Sequence, residues 1–159
     1  ALYSQAAAVI ASKAGVDGMV GGQSLDVYLT DKPMDKEQLD YIFRLKTGAL
    51  IEAAFMAGGI LAGCDEKTQG LLCKAGYNVG FAFQIKDDIL DVTSTQEVLG
   101  KPVLSDERNN KTTYVTLYGL EKAEKDTYDM SKEAMGIIKS IGHNEYLEEL
   151  INMLIHRNK

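Results

Sequence analysis

"FQIKDDILDV", residues Phe83 to Val92, sets three aspartates within five positions among strongly apolar neighbours. Wound at about 3.6 residues per turn, this stretch and the residues before it give Tyr77, Gly80, Gln84, Asp87, Asp88 and Asp91 one face. Phe81, Ile85, Ile89 and Val92 form a second, and Phe83 with Leu90 a third. A surface helix shows one broad polar side. Two apolar faces beside a single acidic stripe instead predict a helix enclosed by others, its carboxylates turned into a cavity. A solvated acidic face is the commoner arrangement for an isolated D-D-x-x-D; the apolar flanks tell against it here. Like charges one and four residues apart repel, and buried carboxylates need a counter-ion or a metal.

Helical signals continue on both sides. In "MDKEQL", Asp35 is an N-cap, Gln38 the reach-back residue of a capping box, and Met34 with Leu39 a hydrophobic staple. A helix is therefore expected from about Lys36 to about Gly63. Asp65 caps the next, which carries the acidic stretch and ends near Val92. "TSTQEVLGKPVLSDERNN" is polar and aperiodic, contains Gly100 and Pro102, and reads as an extended loop. Shorter helices are expected at about Lys111 to Tyr118, Leu120 to Ile141 and Glu145 to His156. The opening "ALYSQAAAVIASKAG" has neither a basic leader nor an initiator Met, so it reads as a helix entered partway along and not as a signal peptide. With two prolines and no long alternation of β-branched residues, the expected fold is all-α, a single helical domain over 1–159.

Composition narrows the function. A chain of 159 residues, 45% hydrophobic, supports one core. Its net charge of -6, from 23 acids against 17 Lys plus Arg, leaves no basic footprint for nucleic acid. Cys64 and Cys73 have no metal or redox spacing, which fits free thiols in a reducing compartment and a cytoplasmic location. The longest apolar run, Gly48 to Gly63, is interrupted only by Glu52. It falls short of the roughly 20 residues of a bilayer crossing, so no membrane span is expected.

Carboxylates clustered without neighbouring His or Cys select a hard cation such as Mg²⁺, which commonly bridges to phosphate oxygens. His143 and His156 lie far along the chain, and the Glu-x-x-His pair of a carboxylate-bridged di-iron bundle is missing. A cation serving a phosphate calls for basic residues in the same cavity. Lys46, beside Thr47 in "RLKTGAL", sits at the edge of an apolar run, where a lysine commonly only snorkels. Lys101 and Lys111 lie in "GKPVLSDERNNKTTY". Singly these are weak signals; together with Gln84 and the acidic stripe they form a constellation.

In order and character, "GMVGGQSLDV" (Gly18 to Val27), "KTGAL" (Lys46 to Leu50), "FQIKDDILDV" and "LGKPVLSDERNNKTTY" (Leu99 to Tyr114) resemble the trans-type isoprenyl diphosphate synthases, and most of all their bacterial farnesyl diphosphate synthase (geranyltranstransferase) branch. The resemblance implies the isoprenoid synthase helical bundle around a central cavity. It also implies condensation of an allylic diphosphate, dimethylallyl or geranyl, with isopentenyl diphosphate, using Mg²⁺ held by two facing aspartate-rich motifs. Carried over by position, Asp87 is the direct Mg²⁺ ligand of the second motif, with Asp88 and Asp91 acting there or through metal-bound water. Lys46 and Lys101 match the diphosphate lysines, Lys111 the loop lysine beside them, and Asp106 an acid that orients metal-bound water. Thr47 and Gln84 line the reactive end of the allylic chain, and Thr47 steers the final proton towards the departing diphosphate. Lys46, Thr47, Gln84 and Lys101 are thus the expected catalytic positions. Gln23 and Asp26 match a cavity-shaping motif; helix packing and capping explain them equally well.

The chain also departs from the family. Leu104 stands where a glycine is usual, which leaves the path of the loop bearing Lys101 open. Asp87-Asp88 is the only adjacent aspartate pair, and Arg44, Arg108 and Arg157 form no Arg-Arg pair. The first aspartate-rich motif and the isopentenyl diphosphate site are therefore absent, and the resemblance implies the C-terminal half of such an enzyme, inactive alone. Its apolar helices exceed what the remaining partners cover, so a homodimer or higher oligomer is expected. The alternatives are a geranylgeranyl or other chain-length synthase, since product length depends on the missing motif, and a noncatalytic helical relative.

Overall fold

Residues 1–94 and 112–157 are described by a computed structural model, and every regular element among them is helical. In chain order these are α1 (Leu2–Ala14), α2 (Met19–Tyr28), α3 (Lys36–Ile42), a π-helical turn (Phe43–Gly48), α4 (Ala49–Leu61), α5 (Glu66–Thr93), α6 (Tyr114–Tyr118), α7 (Leu120–Ile141) and α8 (Glu145–His156).

The helix starts follow the local signals. Asp35 Oδ1 accepts from the Gln38 N–H at 2.8 Å, and Gln38 Oε1 accepts from the Asp35 N–H at 3.0 Å, which completes the capping box. Met34 and Leu39 are both buried in one cluster, as a staple requires. Asp65 Oδ1 accepts from the Thr68 N–H at 2.8 Å and opens α5. Further on, α7 and α8 keep the expected bounds. α6 starts at Tyr114 through a second capping box between Thr113 and Thr116, and the loop expected before it lies outside the described residues.

The helix expected from Lys36 to Gly63 is one right-handed run with a change of winding inside it. Ile42, Phe43, Gly48 and Ala49 all have αR backbone angles, but Phe43–Gly48 forms a π turn. Such a turn takes up one extra residue and re-aims the side chains around it. Local sequence carries no propensity for this.

α5 is the enclosed helix that its pattern predicts, packed by α4, the π turn, α6, α7 and α8. Phe81, Ile85 and Ile89 join Leu29, Met34, Leu39, Ile42, Phe43 and Tyr114 in one cluster; Leu72, Ala75 and Val79 join Ala134, Ile138 and Ile151 in another. Leu90 is buried, whereas Val92, in the last turn, is exposed. Glu52, the one charge in the apolar run, is buried in α4 and paired with Lys13, which fastens α1 to α4. The Cys73 thiol lies 3.9 Å from the same Glu52 oxygen. Burial first, and that negative charge second, raise its pKa. Cys64 and Cys73 are both free. No helix among the described residues is long and apolar enough to cross a membrane.

Candidate active site

The π turn is wedged between α2 and α5, and two glycines permit it. A Cβ on Gly22 would stand 2.3 Å from the Lys46 backbone nitrogen, and one on Gly80 would stand 2.7 Å from the Gly48 Cα. Only glycine allows backbones to approach so closely. On α2 the residue one turn beyond Gly22 is Asp26, whose Oδ2 accepts from Lys46 Nζ at 2.6 Å. The motif "GMVGGQSLDV" is thereby explained in structural terms: a glycine for contact and an acid to hold the lysine of the facing turn. On α5 the residue one turn beyond Gly80 is Gln84, half-buried, as is Thr47 on the π turn. Backbone packing thus sets the turn bearing Lys46 and Thr47 against the helix that carries the aspartates.

The three aspartates have different environments. Asp87 keeps 44% of its side chain exposed and is paired with Arg157, which follows α8. The Arg157 guanidinium also donates from Nη2 to the Phe83 carbonyl at 3.0 Å and lies 3.9 Å above the Phe83 ring centroid. Asp88 is buried, and its Oδ2 accepts from the Tyr114 N–H at 2.6 Å, which ties α5 to the start of α6. Asp91 is 2% exposed. The single cavity-facing stripe expected from the helical pattern is therefore divided: successive residues 87 and 88 point about 100° apart on a helix, one outwards and one towards α6. Among the described residues no three His, Cys, Asp or Glu side chains stand close enough together to hold a metal. Asp87 nevertheless offers a half-exposed carboxylate, the ligand type a hard cation takes, and its partner here is the Arg157 guanidinium.

Lys101, Lys111, Asp106 and Leu104 lie outside the described residues. The structure thus packs the turn of Lys46 and Thr47 against α5, which carries Gln84 and Asp87, directs the Lys46 ammonium to Asp26, and gives Asp88 a backbone partner. Sequence reasoning missed Arg157: a lone arginine in "LIHRNK" carries no local sign that it meets Phe83 and Asp87, 70 residues or more earlier. It also missed Tyr114, whose hydroxyl donates to Asp126 Oδ2 at 2.7 Å. Burial above all, then that hydrogen bond and the Asp126 charge, hold the phenol well above its ordinary pKa.

Residues 3–154 match the family described as polyprenyl synthetase. Farnesyl diphosphate synthase of Micrococcus luteus is 40% identical over 152 residues, 95% of this chain and 52% of that protein. Geranylgeranyl diphosphate synthase of Cyanophora paradoxa is 40% identical over 128 residues, 80% of this chain and 43% of that protein. The Helicobacter pylori geranyltransferase, solved with magnesium and isoprenyl diphosphate, superposes with a TM-score of 0.78 at 31% identity, over 97% of this chain and 51% of the other. The chain spans about half the length of these relatives.

Proposed function

The chain belongs to the polyprenyl synthetase family, and on that premise we propose that it forms the C-terminal, second aspartate-rich wall of a Mg²⁺-dependent prenyltransferase that makes farnesyl diphosphate and pyrophosphate. The observation that carries this reading is the half-exposed Asp87 carboxylate on a helix packed against the turn of Lys46 and Thr47. When bound, Mg²⁺ would neutralise the diphosphate as its bond to the allylic carbon breaks. Asp87 would be its direct ligand. Asp91, four residues on and about 40° round the helix, and the second oxygen of Asp88 would act through metal-bound water.

The chain's own residues do the rest. Lys46, Lys101 and Lys111 bind the diphosphate, which for Lys46 requires exchanging Asp26 for a phosphate oxygen. Gln84 and Thr47 line the reactive end of the allylic chain. As the carbon–oxygen bond of the allylic diphosphate breaks, the electron pair leaves with the diphosphate. The double bond of isopentenyl diphosphate then attacks the allylic carbon, and the departed diphosphate takes the proton that restores a double bond, with Thr47 steering it. An apolar wall keeps water from the cation. A geranylgeranyl product is the second reading, favoured by the equal identity to the Cyanophora paradoxa enzyme. The free cysteines fit work in a reducing, cytoplasmic setting.

The test is incorporation of radiolabelled isopentenyl diphosphate by the full-length protein with Mg²⁺ and dimethylallyl or geranyl diphosphate. Asp87→Ala should lower turnover by about 100-fold to 1,000-fold, the worth of one electrostatic stabiliser. The 159-residue chain alone lacks the opposing wall, and aligning two reactants contributes roughly 7 to 11 kcal/mol, so it should show no turnover. Failure of the full-length protein with both allylic substrates would overturn the reading.

A further inference from the structure

The side chain of Arg157 is 17% exposed and engages α5 at two adjoining turns, through the Asp87 carboxylate and through the carbonyl and ring of Phe83. An anchor that served only to fasten α8 would use the guanidinium's donors fully, since it carries five N–H groups in a fixed fork. Here Nη2 alone meets the carboxylate, at Oδ1, without the bidentate geometry that strengthens such pairs. The Nε, although buried, has no hydrogen-bond partner among the described residues. The carboxylate itself remains open to solvent on its other side. The contact is therefore incomplete where a structural pair is complete, and it sits on the aspartate with the most access to ions.

We propose that Arg157 is the resident counter-ion of Asp87 in the metal-free protein, and that a divalent cation must displace it. The proposal rests on the reading of Asp87 as a metal ligand. A Mg²⁺ ion stands about 2.0–2.1 Å from a carboxylate oxygen, which puts it within a few ångströms of Nη2, where the two positive charges repel. Binding of one weakens the other, and the factor is the same in both directions. Arg157 then balances the charge of Asp87 and keeps α8 docked until metal arrives. Metal frees the guanidinium from Asp87 while leaving it close enough to meet an anion carried by the metal.

Two measurements on the full-length protein test this. In Mn²⁺ titrations that follow the free ion by electron paramagnetic resonance, Arg157→Gln should bind at least about 5-fold more tightly than wild type, the lower end of common coupling factors. Arg157→Lys, which keeps the charge, should fall between the two. In ¹⁵N spectra the Arg157 Nε signal, assigned by its loss in Arg157→Gln, should move to the position of a solvated arginine on addition of Mg²⁺. Asp87→Asn should move it there without metal. Equal Mn²⁺ affinities, or an Arg157 signal that saturating Mg²⁺ leaves in place, would overturn the proposal while leaving Asp87 a metal ligand. Absence of Mn²⁺ uptake by both wild type and Arg157→Gln would instead remove the metal reading, and this inference with it.

Discussion

Gly80 lies so close to Gly48 that a Cβ on it would stand 2.7 Å from the Gly48 Cα. The contact sets the distance between the π turn carrying Lys46 and Thr47 and the turn of α5 carrying Gln84. Gly80→Ala should push the two apart. Overpacking costs about 1–3 kcal/mol, against roughly 1 kcal/mol gained in helix propensity, so a net loss of stability is expected in urea unfolding. A variant more stable than wild type would show that the helices do not meet there.

Asp88 is expected to matter for stability as well as chemistry. Its Oδ2 is the acceptor for the Tyr114 N–H, buried at the start of α6. Asp88→Ala strands that N–H, and a buried donor without its partner costs about 1–3 kcal/mol. Asp88→Asn keeps an oxygen in place and should lose less. Thermal unfolding of the two variants gives the order, and equal losses would argue against the hydrogen bond.

Tyr114 should make the protein sensitive to alkali. Its pKa is raised in the fold, by burial first and by the Asp126 contact second, above the ordinary value of 10. The folded state thus holds the phenolic proton more tightly than the unfolded one. This contribution is complete below about pH 10 and is lost as pH climbs through the folded value. Tyr114→Phe should flatten the decline of urea stability above pH 10; an unchanged slope would contradict the assignment.

Self-association follows from the apolar surface. Tyr3, Ile10, Val16, Val27 and Tyr28 are exposed along α1, α2 and the link between them, as are Leu50 and Leu61 on α4. Large apolar patches seldom persist on monomers, so the 159-residue chain should form a dimer or higher oligomer at micromolar concentration. Light scattering that returns a single monomeric mass would refute this.

What the sequence determined by itself is everything that repeats or caps within a few residues. The capping box at Asp35 and the N-cap at Asp65 were legible because a capping carboxylate and the N–H that donates to it lie three positions apart. The enclosure of α5 was legible because the 3.6-residue period alone fixes which side chains share a face. Resemblance of ordered motifs added the family and the candidate residues, Asp87 and Lys46 among them. Tertiary structure decided the partners. Asp26 holds Lys46 across 20 positions, Tyr114 meets Asp88 across 26, and Arg157 meets Asp87 across 70. It decided the π turn too, since Gly22 and Gly80 press on that segment from α2 and α5. The physical reason is one of range: propensity, capping and periodicity act through neighbouring backbone groups. A counter-ion is chosen by whichever helix happens to dock alongside, and that depends on how all the buried faces pack at once.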